Sequence, residues 1–430
     1  MPVQVLTFIL TILVLGTSTG RLQAQAPEGR FSPLFGAPDP RQSPEETSNG
    51  GLSASGSLFG SYGDGFLIDQ GFATARQPYP RLPGPSYGYD GRLFYDRLGE
   101  QLALNVNAAS TAGYYPAAEQ FVLGRQFAGI SSSWVASPWR SGRVSTGGAA
   151  QYSRNGTPFM QMTPPESQPV ETIDGDQLIG SPHRATVQGH VQLEQDAGRG
   201  KSIGVMAGLQ SSKLQGNERL DSYDVGGTFN AKIARYGTFR AGYTLQEVDR
   251  GVAFYTVHHA DIGGEYGRPL SASRRTFVSF SGGSAALQSK VQTRVYITAD
   301  ASLSYELRRS WTGRLRYDRG FTFVDEIVDP LVSDAVSADL SGLLSRRIDL
   351  TGSGSFRHGT VGLSPGATDF HVYGARTRVR LALSRVSAVF AEYLFFHYRF
   401  AESVSLVGLP SFYDRQTIRL GVTIMTQLLR

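Results

Sequence analysis

The sequence predicts an all-β chain: a transmembrane antiparallel up-and-down β-barrel of about 18 strands, with 16 as the alternative. Three observations lead there. Long stretches alternate apolar and polar residues with a period of 2, the period of a strand with two different faces. The connections between these stretches tend to be short, then long, then short again, as in a bacterial barrel. The chain also carries 51 Gly and 20 Tyr, a composition suited to many turns and to aromatic belts at membrane boundaries.

The clearest pair of strands lies between Arg294 and Phe323. In its first arm Val295, Ile297, Ala299, Ala301, Leu303, Tyr305 and Leu307 share one parity. Arg294, Thr298, Asp300, Ser302, Ser304 and Glu306 hold the other, with Tyr296 among them. The second arm sets Trp311, Leu315, Tyr317, Phe321 and Phe323 against Thr312, Arg314, Arg316, Asp318 and Thr322. Each arm exceeds the ~5–6 residues of an ordinary globular strand. Candidate strands begin near Ser57, Gly91, Gln101, Gly124, Ser141, Arg184, Lys201, Asp221, Tyr236, Phe254, Arg274, Val291, Ser310, Leu331, Asp349, Thr368, Ser387 and Arg415. With this set, short and long connections alternate without a break in parity, and both ends of the barrel wall fall on the short-turn side.

Before the first strand the chain reads differently. Val5 to Leu15 is an apolar run, far short of the ~20 residues of a spanning helix. Residues 1–24 therefore read as an export signal cleaved after Ala24. Residues 25–56 are rich in Pro, Gly and Ser without periodicity and read as a flexible periplasmic tail. That leaves 57–430 for the barrel. No other long apolar segment exists, which excludes a helical membrane protein. The absence of Cys excludes disulfides, thiolate zinc sites and Cys nucleophiles. The formal net charge of +5 is diffuse, without a Lys/Arg cluster in sequence, so nucleic acid is not an expected partner.

A soluble sandwich would alternate too. Strand length, the run of connections, and aromatics near strand ends (Trp311, Tyr317, Phe321, Phe323, Tyr393, Phe395) favour the barrel. The hairpin Leu331–Gly362, with Ser337-Ala-Asp-Leu-Ser-Gly-Leu-Leu-Ser-Arg-Arg-Ile-Asp349 at its turn, resembles the repeats of Gram-negative outer-membrane β-barrels. So does Arg380-Leu-Ala-Leu-Ser-Arg-Val-Ser-Ala-Val-Phe-Ala-Glu-Tyr-Leu-Phe-Phe-His-Tyr398. Arg184–Arg430 is similar to porin-like barrels of the kind associated with exopolysaccharide secretion. The resemblance implies the outer membrane as location, with outer-membrane lipid, the barrel-insertion machinery and periplasmic secretion partners as contacts. It leaves monomer and trimer open. The chain departs from such barrels by ending Gln427-Leu-Leu-Arg430 rather than on an aromatic residue.

Chemistry is sparse. The seven histidines, His183, His190, His258, His259, His358, His371 and His397, form no ligand cluster in sequence. Ser353 and His358 fall on opposite faces of one strand. Neither an enzyme nor a cofactor is expected. Gly147-Gly148 and Gly282-Gly283 read as bends or bulges within strands. The informative feature is the polar face, which collects Arg240, Arg294, Arg314, Arg316, Arg376, Arg378, Arg380 and Arg419, with Asp300, Glu306 and Asp318. Two readings of these rows stand. They set up a field that favours anions or acidic sugars, or neighbouring Arg and acid side chains satisfy one another. A constriction is expected from the loop 154–183 through Glu166, Glu171, Asp174 and Asp176. The expected function is a porin-like channel for passive passage of hydrophilic solutes or a secreted polysaccharide. The alternative is a non-conducting accessory barrel of an envelope secretion complex, and an outer-membrane hydrolase ranks below both.

Overall fold

A computed structural model describes residues 51–63, 84–99, 101–116, 119–139, 141–154, 184–214, 219–251, 253–271, 274–290, 292–306, 311–323, 329–363, 368–401 and 412–429. The described strands are β1 Gly51–Gly63, β2 Gly84–Leu98, β3 Leu102–Tyr115, β4 Gln120–Trp139, β5 Gly142–Arg154 and β6 Arg184–Gly198. They continue with β7 Lys201–Leu214, β8 Arg219–Ala234, β9 Gly237–Asp249, β10 Phe254–Ser271, β11 Arg274–Ser289 and β12 Thr293–Glu306. The last six are β13 Trp311–Thr322, β14 Leu331–Leu343, β15 Ile348–Val361, β16 Thr368–Ala382, β17 Ser387–Phe400 and β18 Phe412–Leu429. Every strand pairs antiparallel with its sequence neighbours, and β1 pairs with both β2 and β18, so the 18-stranded sheet closes on itself. This is the expected all-β barrel, at the larger of the two strand numbers.

The closed wall sorts side chains by parity. In β12 Val295 and Ile297 are each 70% exposed, whereas Thr298 between the strands' inward positions is 8% exposed. Leu58, Ile203, Val205, Ile262, Ile418, Leu420 and Ile424 repeat the outward pattern around the wall. An outer surface of this kind, apolar on strand after strand, is the form a wall takes when its outside faces lipid.

Strands begin where the sequence places them at Arg184, Lys201, Phe254, Arg274, Leu331, Thr368 and Ser387. The largest differences fall at the start. β1 begins at Gly51 and β2 at Gly84, where Ser57 and Gly91 are expected. Residues 51–56, read from sequence as the end of the tail, form the first half of β1. Their outward positions are Leu52, Ala54 and Gly56, too small a set to show a period. At one end of the barrel the connections, such as 199–200, 235–236, 344–347 and 383–386, never exceed four residues; at the other they range up to 155–183.

The glycine pairs differ from expectation. Register runs unbroken through Gly147-Gly148 and Gly282-Gly283, so neither is a bulge. Gly283 is there for a close approach: a Cβ added to it would lie 2.0 Å from the Ala260 carbonyl oxygen of the neighbouring strand. The register shifts fall elsewhere, including Ser110/Ala112, Asp196/Gly198 and Lys232/Ala234.

Candidate functional site

The candidate site is the interior, and it is built in three parts. The first is an ionic wall on β12–β18. Cross-strand register sets Arg378, Glu392 and Arg419 in one row and pairs Asp349 with Arg380. Because partners in register point to the same side of a sheet, these charges meet inside. Arg380 Nε donates to Asp349 Oδ1 at 2.9 Å, and the two residues are 5% and 4% exposed. Arg376 Nε donates to Glu392 Oε1 at 2.6 Å, and Arg419 Nη1 stands 3.7 Å from the other Glu392 oxygen. Arg378 lies over the Phe390 ring, 4.4 Å from its centroid, and reaches Thr423 Oγ1 at 3.4 Å. Further round, Arg316 Nε approaches Asp300 at 3.3 Å.

Of the residues expected to line the lumen, the structure thus brings together Arg376, Arg378, Arg380 and Arg419. Arg314, Arg316, Asp318, Asp300 and Glu306 form a second group on β12 and β13. Arg240 stands apart on β9, beside Asp261 at 3.4 Å, and Arg294 lies near the long-loop end of β12. Asp349, Arg357, Arg415 and Asp261 belong to the interior too and are absent from the sequence-level set. Arg415 shares its parity with Arg419, so that signal was present. Asp349 reads from sequence as a strand start, where alternation has not yet assigned a face. Arg357 is 6% exposed, with its Nη1 donating to Ser333 Oγ at 3.3 Å.

The second part is an apolar collar at the long-loop end. Leu220, Val248, Tyr255, Val257, Ala285, Leu287 and Leu363 form one buried cluster, with Phe321 and Phe323 packed against it. Leu363 follows β15, and Phe323 follows β13, yet both meet the inner face of β8–β11. The Phe323 and Tyr255 rings are 5.4 Å apart, and Tyr255 donates to Asp329 Oδ1 at 3.3 Å. The chain therefore turns inward at the mouth at Phe323 and at Leu363, just past β13 and β15. Beside them Phe370, Tyr398 and Phe400 are inward and at most 2% exposed. Sequence parity alone assigned Phe323 to the membrane belt; just past the end of β13 the strand no longer dictates its side. The expected constriction residues Glu166, Glu171, Asp174 and Asp176 lie outside the described residues.

The third part is an uncharged, accessible stretch. On β6 the inward positions Gln188, His190 and Gln192 are exposed, as are the outward Val187, Val191 and Leu193. Exposure of both faces of one strand in a closed wall means that the inner face is open to solvent. The His190 ring lies over the missing side chain of Gly147, where a Cβ would come within 2.4 Å of it. Behind the polar ladder, Thr186 and Ser212 share a hydrogen bond of 3.1 Å.

Among the described residues, Ser353 and His358 are not brought together. Ser353 faces inward and His358 outward, where His358 stacks on His371 with Nδ1 atoms 3.1 Å apart. His258 points outward to the Tyr243 hydroxyl at 2.8 Å, and His259 inward to Thr298 at 3.0 Å. Among the described residues no group of three or more His, Asp or Glu could hold a metal ion.

The chain matches no described protein family and no curated protein. Solved structures with a similar course are those of Pseudomonas aeruginosa and Acinetobacter baumannii proteins. OccK2 (OpdF) of P. aeruginosa, in complex with glucuronate, is 10% identical, with a TM-score of 0.43 over 88% of this chain and 98% of that one. OpdL of the same organism is 10% identical, with a TM-score of 0.43 over 88% and 99%. OccAB3 of A. baumannii is 9% identical, with a TM-score of 0.41 over 88% and 99%.

Proposed function

We propose that this barrel sits in the outer membrane of a Gram-negative bacterium and passes small hydrophilic solutes by diffusion. One observation carries the reading: Gln188, His190 and Gln192 face inward in a closed wall and remain exposed to solvent. A wall of ~16–18 strands leaves an aqueous interior when no segment fills it. Here the filling is partial: the apolar collar covers the inner face of β8–β11 at the long-loop end, and ion pairs pack the β15–β18 rows. The Arg376, Arg380, Arg419 and Glu392 sector is packed by its own ion pairs, so these arginines hold the wall. The passage runs along β5–β9, with Arg240, whose side chain is 49% exposed, as the charged contact for a solute. Mutual neutralisation of the β15–β18 rows argues against a lumen with a strong anion field. Passage of a secreted polysaccharide and the accessory-barrel reading gain no observation from the interior.

The chain contains no Cys, which makes the test direct. A single Cys replacing His190, modified with a cationic thiol reagent during planar-bilayer recording, is expected to reduce the ion current. The same treatment of Thr423→Cys, 7% exposed in the wild type, is expected to leave it unchanged. A refolded barrel that carries no current would overturn the reading.

A further inference from the structure

The short connections bring together cations that lie far apart in sequence. Arg199 occupies the β6–β7 turn, Arg235 the β8–β9 turn, Arg346 and Arg347 the β14–β15 turn, and Arg385 the β16–β17 turn. All five are exposed, and none makes an ion pair among the described residues. The acids nearest to them in sequence are engaged: Asp349 is paired with Arg380 at 2.9 Å, and Asp196 Oδ1 accepts the Gly198 amide at 2.7 Å. At the long-loop end, by contrast, Arg219 is paired with Asp221 at 2.6 Å.

The same rim exposes aliphatic side chains. Ile233 is 73% exposed, Leu344 56%, Leu383 57% and Val386 50%. An aliphatic tip beside a cation suits the boundary between acyl chains and headgroups, where long basic side chains extend to phosphate. The β6–β9 and β14–β17 turns stand on nearly opposite sides of the wall, given the strand order. A rigid protein docking on one flank would meet one set and leave the other bare. A lipid leaflet surrounds both.

We propose that the short-turn end is seated in a leaflet of anionic phospholipid, whose phosphate diesters are held by these guanidinium groups. The assignment stands whether or not the barrel conducts. The test places the purified barrel in discs containing equal phosphatidylglycerol and phosphatidylcholine, extracts it gently, and counts retained lipid by mass spectrometry. The wild type is expected to retain phosphatidylglycerol over phosphatidylcholine by about threefold, and less at high salt. R346Q/R347Q/R385Q and R199Q/R235Q should each reduce that ratio, and the five-site variant should bring it to the bulk value. Heat-modifiable gel mobility reports that each variant is folded. R219Q, at the other end, should keep the wild-type ratio. A wild-type ratio equal to bulk would overturn the proposal, as would an unchanged ratio in the five-site variant. It also falls if the wild type retains lipid at the bulk ratio but captures soluble polyglutamate through these five residues.

Discussion

Arg380 and Asp349 illustrate the cost of a charge inside this wall. Each is nearly fully buried against the other, and removing one partner of such a pair strands the other at a cost of about 3–5 kcal/mol. Arg380→Met is therefore expected to lower the urea midpoint of barrels refolded into vesicles, and Arg380→Met/Asp349→Leu to recover most of the loss. A neighbouring pair of glycines separates geometry from composition. Gly283→Ala drives a methyl into the Ala260 carbonyl, whereas Gly282→Ala meets nothing within 4 Å. The first should cost about 1–3 kcal/mol and the second almost nothing in the same titration. At this scale the sequence was half legible. Arg376, Arg378 and Arg380 declare a common face by their spacing. That Glu392 lies between Arg378 and Arg419 depends on the register of three strands, which no single stretch of chain displays.

Strands with one polar and one apolar face, such as β6 and β12, were legible because their period survives along most of their length. β17 was not. Its run Leu394-Phe395-Phe396 is apolar on both sides, because the inner face near the mouth packs against aromatics rather than facing water. Tyr398, fully buried there, should cost about 3–5 kcal/mol of barrel stability when replaced by Ala, measured by the same unfolding titration. The chain just past β13 and β15 makes a different demand. Phe323 packs against Tyr255 across the inner wall. Phe323→Ala is expected to increase single-channel conductance while leaving heat-modifiable mobility intact. An unchanged conductance would place the narrowest point elsewhere. These inward turns begin where strand periodicity ends, which is why alternation could not reveal them.

At the scale of the whole molecule, the strand number and the alternation of connections were both readable, because a closed antiparallel wall admits no odd strand when its two edge strands must meet. The distribution of charge between the two ends was not, since it appears only after the turns are stacked at one rim. The join between β1 and β18 has a consequence in time rather than in space. Ser57 and Thr423 share a hydrogen bond of 2.8 Å across 366 positions of the chain. Every hairpin in the wall can form from local pairing, but this contact needs the other strands in place to bring its two halves within reach. Until then both edges present unpaired backbone, the surface on which strands pair with wrong partners. Refolding should thus show early strand formation followed by a slower closing phase. Ser57→Pro, which removes a ladder donor in the middle of that join, should lengthen the slow phase while leaving the early one unaltered.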